Sequence, residues 1–529
     1  SSRTPGRPGV VALAAALALL GTGSAEAASC TWNVAAGNWN ALVNWLNCAA
    51  GNGNPASTPG SGDTATIGAT GVVTINTAQS VGSLVNAGRI DIDAFLLTLA
   101  AGGSTTNTGV INVGAGPNPN NAALNIGGGH NVNNAGGVIN VSADSVVNQF
   151  GSTLSGGTIN TTGTGKLVAF NSGSNFLDNV TLNGTLDLAS GTGIERVTNG
   201  LVLNGAVNIA QASIFAPQGN QTIGGNGTIV FADNNASNRL NVEAGNLTLG
   251  AGITVRGNTG VIGGQSWIGG AATLTNQGLI AADVAGGTIT LGVLSGVTNT
   301  GTLQGNNGGT LLVNANGSGI ANAGGTIRAD NSGVVYFNGV TIDGGTLSTS
   351  SGGRLVASGS SNNFLNNTTL NGVLDLASAY GVQRVTGGMV LGGTVNIAQA
   401  SILAPQGNQT IGGNGTIVFA DNNANNRLNV EAGNLTLGAG ITVRGNTGVI
   451  GGQSFAGGNA TLTNNGTIQA DVNGGTITLA ALAGGASIVN NGTLAALNGG
   501  TLLLNGSVAN SVGSQILAGA GSTVWQNGV

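Results

Sequence analysis

The sequence contains few charged residues, few aromatic residues and few cysteines. Charged residues make up 5% and aromatic residues 3% of the 529 positions, and there are two cysteines and one histidine. The 12 lysine and arginine residues form no cluster of four or more. Because non-specific nucleic-acid binding requires cations that neutralise phosphates, we expect no nucleic-acid partner.

Glycine and small apolar residues are abundant. Glycine occupies 99 positions, and hydrophobic residues, mostly Ala, Val, Leu and Ile, make up 40% of the chain. The low charge does not fit a disordered chain, and the glycines lack the three-residue period of collagen. The chain is also too long for one compact core. This composition predicts many turns that join short apolar strands.

The first residues have the pattern of a secretory signal peptide. Arg3 and Arg7 precede the apolar run 10–20, and Ala25-Glu26-Ala27 supplies small residues at a cleavage site. The apolar run is too short for a membrane-spanning helix. We therefore predict a signal peptide over residues 1–27.

Residues 28–65 form a distinct segment with both cysteines and three of the five tryptophans, Trp32, Trp39 and Trp45. Export favours a disulfide between Cys30 and Cys48, worth about 3 kcal/mol in the chain-entropy model. Metal binding by the two thiols is the alternative. The open end of a stacked β-structure must be covered, so we predict a cap here, with a glycan-stacking platform as the alternative role of the tryptophans.

A short phrase of the form Asn-x-Gly-x-aliphatic recurs from about residue 65 onwards, as in NTGVINV at 107 and NNGTIQAD at 464. Asn and Gly suit sharp corners, and the alternating apolar residues that follow suit strands. The spacing of strand centres predicts a right-handed parallel β-helix, a β-solenoid with coils of roughly 21 residues. Some twenty-two coils, each about 4.8 Å high, would form a rod roughly 105 Å long.

A long internal repeat divides the solenoid into residues 66–154, a first copy at 155–342 and a second copy at 343–529, with an offset of 188 residues. Between 208 and 266 the copies differ only at Phe215 and Ser237, which are Leu403 and Asn425 in the second copy. We expect one copy to form nine coils. The second copy gains three residues after the position of Leu291, and we place them in a corner, where strand register is unaffected.

The ionisable residues do not form a clear catalytic pattern. The densest ionic set occurs in both copies: Asp233, Arg239, Glu243 and Arg256, and Asp421, Arg427, Glu431 and Arg444. We expect Asp233 and Arg256 to pair on adjacent coils at the surface, in preference to forming a carbohydrate-cleaving or calcium site. Glu195 becomes Gln383 in the second copy, which is unexpected for a required acid.

His130 lies in a Gly/Asn loop without nearby metal-ligating residues. We therefore predict no catalytic residue, no metal site, no cofactor and no enzymatic activity.

The Asn-x-Gly-x-Ile phrases, the signal and the Trp-rich start together resemble bacterial adhesins of the filamentous-haemagglutinin-like and autotransporter-passenger classes. The resemblance implies a rod that is secreted or held on the bacterial outer surface and that leaves through an outer-membrane translocation pore. It implies contacts with glycans or proteins of host cells, other bacteria or matrix. Two alternatives remain open: a carbohydrate-active β-helix enzyme, as a polysaccharide lyase or hydrolase, and a glycan-binding module.

Overall fold

The computed structural model describes residues 27–48, 57–116, 121–170, 172–263, 270–292, 294–314, 319–451 and 458–527. Regular structure in these ranges consists of 57 strands and two short 3-10 helices, Leu42–Asn44 and Ala377–Ala379. The predicted all-β class is therefore confirmed. The predicted signal peptide, apart from Ala27, lies outside the described residues.

The strands are numbered β1 to β57 in chain order. Strands β1 to β16 are Ser29–Trp32, Ala36–Asn38, Trp45–Leu46, Thr64–Ile67, Val72–Ile75, Gln79–Val81, Ser83–Asn86, Arg89–Ile92, Leu96–Leu99, Ser104–Asn107, Val110–Val113, Ala123–Ile126, Asn131–Asn133, Val138–Val141, Val146–Gln149 and Thr153–Ser155. Strands β17 to β37 are Thr158–Thr161, Lys166–Ala169, Asn175–Asn183, Thr185–Asp187, Ile194–Leu203, Ala206–Ile209, Ile214–Pro217, Gln221–Gly224, Thr228–Leu240, Gly245–Leu249, Thr254–Ile262, Ala272–Asn276, Leu279–Ala282, Thr288–Gly292, Gly296–Asn299, Thr302–Gly305, Thr310–Asn314, Ile320–Ala321, Thr326–Ala329, Val334–Phe337 and Thr341–Asp343. Strands β38 to β57 are Thr346–Thr349, Arg354–Ala357, Phe364–Asn371, Val373–Asp375, Val382–Leu391, Thr394–Ile397, Ile402–Pro405, Gln409–Gly413, Thr416–Leu428, Gly433–Leu437, Thr442–Ile450, Ala460–Asn464, Thr467–Ala470, Thr476–Leu479, Ile488–Asn490, Thr493–Ala496, Thr501–Leu504, Val508–Asn510, Gln515–Ala518 and Thr523–Gln526.

The strands stack in three parallel ladders that run along a common axis. Ladder A contains β4, β7 and β10, ladder B contains β5, β8 and β11, and ladder C contains β6, β9 and β12. The chain visits the three ladders in turn and forms a β-solenoid of about 19 turns with a spacing of about 23 residues. At about 4.8 Å per turn, this stack is roughly 90 Å long.

The predicted coil of roughly 21 residues is close to the observed spacing, but twenty-two coils are too many. One reason is that several strands pass round a corner and lie on two ladders. Strand β25 has 13 residues; its start pairs with β22 on ladder C and its end with β23 on ladder A. Such extended corners add residues that strand spacing alone does not reveal.

Aliphatic side chains fill the narrow interior. Alternate residues of most strands point inward, and Ile90, Ile111 and Ile139 lie on successive turns of ladder B with no exposed surface. Complete burial of such a side chain is worth about 1.5–3 kcal/mol. The same small set of side chains recurs because each turn must match the cross-section of its neighbours.

Asparagine side chains form hydrogen-bonded ladders beside this aliphatic stack. The Nδ2 of Asn276 donates to the Oδ1 of Asn299 at 2.8 Å, and Asn299 donates to Asn322 at 2.7 Å. The glycine of the recurrent phrase follows at the corner, where a Cβ on Gly301 would lie 2.1 Å from the carbonyl oxygen of Gly278. The Asn-x-Gly phrase therefore combines a buried amide ladder with a corner too tight for a side chain.

The two copies of the repeat are not in the same orientation about the axis. Leu186 lies on ladder C, whereas its equivalent, Leu374, lies on ladder A and pairs with Leu355. Eight steps up ladder C lead from Leu186 through Val207, Ile229, Val255, Ile280, Leu303, Ile327 and Leu347 to Leu370. Leu374 belongs to the next strand, so one copy spans eight turns and one further face, and the predicted nine coils are wrong.

The three inserted residues of the second copy lie in a corner, as predicted. They fall between β51 and β52, whereas the first copy joins β30 to β31 more directly. Leu274 pairs with Val297 in the first copy, and Leu462 pairs with Ile488 at the same positions in the second. The strand register is therefore the same on both sides of the insertion.

Candidate functional site

The N-terminal segment packs its tryptophans inward. The indoles of Trp39 and Trp45 have no exposed surface, and Trp32 is 7% exposed. Their rings meet edge to face, with the Trp45 centroid 5.0 Å from that of Trp32 and 4.8 Å from that of Trp39. An indole without exposed area, as at Trp39 and Trp45, offers no face on which a sugar ring could stack.

The N-terminal segment is held together by a disulfide and by hydrogen bonds. Cys30 and Cys48 form a disulfide, and the Nε1 of Trp45 donates to the carbonyl oxygen of Trp39 at 2.7 Å. Strand β1 pairs with β4 at the start of ladder A, while β3 runs antiparallel to β1. Strand β1 therefore continues ladder A, and β3 lies along its other edge.

The densest ionic set of the sequence does not assemble as one cluster. Arg256 pairs with Asp283 at 2.7 Å and not with Asp233, so the predicted Asp233–Arg256 pair is wrong. Asp233 instead accepts hydrogen bonds from the backbone NH of Gln211 at 3.0 Å and the amide of Asn238 at 2.5 Å. The Asp233 carboxylate therefore bonds within the extended corner of β25 and does not pair with Arg256.

Glu243 takes part in a buried ion pair that the sequence did not indicate. The Nε of Arg196 lies 2.8 Å from the Oε2 of Glu243, and their side chains are 12% and 0% exposed. The guanidinium also lies 5.8 Å from the centre of the Phe176 ring. Because 47 residues separate the partners and the segment 216–218 lies between β21 and Glu243, residue spacing alone gives no signal for this contact.

Glu195 is an isolated acid in the interior. It is completely buried, neither carboxyl oxygen has a hydrogen-bond partner, and burial raises its pKa well above the usual 4.5. Phe215 pairs with it on the next turn of ladder A. A carboxyl group whose charged form is penalised by burial is poorly placed to act as a general base or a metal ligand.

His130 has a structural role. Its Nδ1 lies 2.7 Å from the carbonyl oxygen of Ala100 and its Nε2 lies 2.9 Å from the hydroxyl of Thr105. The ring has no exposed surface, and burial lowers its pKa. Both nitrogens bond within the fold, so the ring joins neighbouring turns.

The described residues contain no group of three or more His, Cys, Asp or Glu side chains that could hold a metal ion. None of the described helices is long and apolar enough to span a membrane. Open grooves on the outer faces are the remaining candidate sites. One of about 460 Å³ lies on ladder A of the second copy, between β46 and β48, and includes Arg444 and Val472.

Comparisons with known proteins assign no family to this arrangement. No protein-family model matches the chain, and no curated protein has a similar sequence. Inferences about function therefore depend on the fold and on the chemistry of its surface.

Proposed function

We propose that this protein is an exported, non-catalytic rod of the bacterial outer surface or of secreted material, and that it attaches to glycans or proteins of other surfaces. The observation that carries the proposal is the unbroken stack of about 19 parallel turns. Such a stack holds a surface far from its base without a globular active-site cleft.

The distribution of charge supports a scaffold role. Arg89, Arg256, Arg328 and Arg444 each pair with one nearby aspartate, and these arginines are about half exposed. Paired charges of this kind contribute about 0–1 kcal/mol each and concentrate no reactivity in one place. Catalysis of polysaccharide cleavage would instead need carboxyl groups that converge on one bond.

Attachment can be tested with the full chain on beads that are passed over cultured cells, bacterial lawns and matrix-coated plates. We expect retention of the folded protein on at least one of these surfaces and no turnover of acidic or neutral polysaccharides. Beads that carry the heat-unfolded chain serve as the matched control. Polysaccharide turnover, or no retention above this control, would overturn the proposal.

The site of exposure can be tested separately in a Gram-negative bacterium that expresses the chain from its full gene. We expect an antibody against the rod to label intact cells or to detect the protein in the medium. Detection only after the cells are broken would contradict the proposed location.

A further inference from the structure

The groove on the second copy combines an apolar wall with an arginine whose charge is compensated by an aspartate. Val472 is 37% exposed and faces the same groove as Val418, Thr416 and Asn446. The Nη2 of Arg444 lies 2.6 Å from the Oδ2 of Asp471, whose other oxygen accepts the backbone NH of Gly445 at 3.1 Å. The guanidinium is therefore fixed at one end while its side chain remains 48% exposed.

The first copy carries the arginine, aspartate and valine at the equivalent positions, whereas Ala206 stands where Thr394 lines the groove of the second copy. Arg256 pairs with Asp283 at 2.7 Å, Asp283 accepts the NH of Gly257 at 3.0 Å, and Val284 is also 37% exposed. Val230 lies beside Arg256 on ladder C, just as Val418 lies beside Arg444 on ladder A. The arrangement is thus present twice, on different faces of the rod.

The chemistry of this arrangement selects the type of ligand. The arginine already has a carboxylate partner, so the groove has no uncompensated charge to attract a polyanion. It does offer guanidinium donors, the amide of Asn446, a threonine hydroxyl and exposed valine. Those groups match the hydroxyl edges and the apolar C–H faces of sugar rings, and the volume of about 460 Å³ lies within the range of ligand sites.

We propose that the groove at Arg444–Val472 and the matching surface at Arg256–Val284 are two related sites for neutral oligosaccharides. This inference rests on the proposed attachment function and assigns it a ligand class and a location. Because one copy spans eight turns and one further face, the sites lie roughly 40 Å apart along the axis and about one third of a turn apart around it. The rod therefore bridges two glycan chains on different sides and does not lay both sites on one flat surface.

The number of sites can be measured by calorimetric titration of the full chain with short gluco-, manno- and galacto-oligosaccharides, with heparin fragments as the anionic arm. We expect two sites per chain for at least one neutral series and no binding of the heparin fragments. Val284→Asp or Val472→Asp should leave one site, and the double variant none. Each single variant is the matched control for the other, because the substituted side chains are exposed and the unaltered copy reports on folding.

The geometry can be measured by electron microscopy with the biotinylated oligosaccharide and streptavidin. Two particles on different sides of the rod, roughly 40 Å apart along it, would agree with a separation of eight turns and one further face between the sites. Binding of heparin fragments alone, a site count unchanged by both substitutions, or no binding of any neutral series would overturn the proposal.

These outcomes separate the two proposals. If no neutral oligosaccharide binds but the wild-type chain attaches to cells, the glycan sites are refuted while the attachment function stands. If the oligosaccharides bind at two sites but the wild-type chain attaches to no surface, the attachment function fails and the glycan sites stand.

Discussion

The two copies of the repeat differ at neighbouring positions in the interior. Glu195 lies in register with Phe215 in the first copy, and Gln383 lies in register with Leu403 in the second. The Nε2 of Gln383 donates to the carbonyl oxygen of Arg384 at 3.0 Å, whereas both oxygens of Glu195 have no partner. The two copies therefore differ in how this buried polar side chain is satisfied, and burial penalises the charged form of Glu195.

A second difference lies on the outer side of the same strands. Arg196 approaches Glu243 to 2.8 Å, whereas Arg384 lies 3.4 Å from Glu431, whose Oε1 has no partner. Both copies have arginine and glutamate at these positions, but the distance between the two charged groups differs. The second copy should therefore depend less on its arginine than the first.

The largest expected effect comes from removal of this arginine. Arg196→Ala leaves Glu243 buried without a counter-charge, and we expect a loss of about 3–5 kcal/mol in the free energy of unfolding. Arg384→Ala should cost less because the pair it breaks is looser. Urea titration, with hydrogen exchange at β21 and β42 to locate the change, measures both values. Equal losses in the two variants would contradict the comparison.

The next effect concerns the asparagine ladders. Asn299→Ala removes the acceptor of Asn276 and the donor to Asn322, and a buried polar group without a partner costs about 1–3 kcal/mol. The equivalent Asn490→Ala should cost less, because its partner Asn510 is partly exposed and water can replace the lost bond. Urea denaturation of the two variants tests the order, and a greater loss for Asn490→Ala would refute this explanation.

A smaller and pH-dependent effect is expected at Glu195. Its raised pKa means that the folded state holds a proton more tightly than the unfolded chain. The stability from this group is complete below the unfolded pKa of about 4.5 and falls as pH rises towards the folded pKa. Glu195→Gln should remove this decline, and Gln383→Glu should add a second one.

The measurement for Glu195 is the denaturation midpoint of each variant across a pH series. Because Gln383 already fills the equivalent position, the Gln substitution at Glu195 should fold normally. A decline that persists unchanged in Glu195→Gln would mean that another group causes it.

The smallest effect is expected at an ion pair on the surface. Lys166 lies 2.7 Å from Asp187, and the second copy has Arg354 and Asp375 at these positions. Burial favours a higher pKa for Asp187, but hydrogen bonds from Lys166 and Ser190 outweigh it and lower the pKa. Lys166→Met should cost under about 1 kcal/mol at neutral pH, since the lysine is partly exposed.

The cost of Lys166→Met should shrink as pH falls through the pKa of Asp187, because the protonated aspartate no longer attracts the lysine. Lys166→Arg is the control, and it should behave like the wild type. A large loss that is independent of pH would show that packing, not charge, dominates at this position.

The sequence predicted the fold well because its signals are local. The alternation in VINV at 110–113 and the Asn-x-Gly corners each report on a few consecutive residues, and both recur in every part of the solenoid. The insertion was also placed correctly, since a corner tolerates extra residues and a strand does not.

The candidate site was less predictable, because its partners belong to different turns. Arg256 and Asp283 are 27 residues apart, and their contact depends on the lengths of the corners between them. Those corners range from tight Asn-Gly turns to the extended end of β25. An average coil length therefore paired Arg256 with the wrong aspartate.

The sequence by itself determined a stacked parallel β-structure with a small apolar interior and a duplicated block. Tertiary structure decided which side chains meet across turns and which way each copy faces. The physical reason is that strand formation depends on the neighbouring residues. The face of the solenoid on which a given strand lies depends instead on the summed lengths of all preceding corners. The 188-residue offset therefore adds one face to eight complete turns, and that extra face directs two nearly identical surfaces to different sides of the rod.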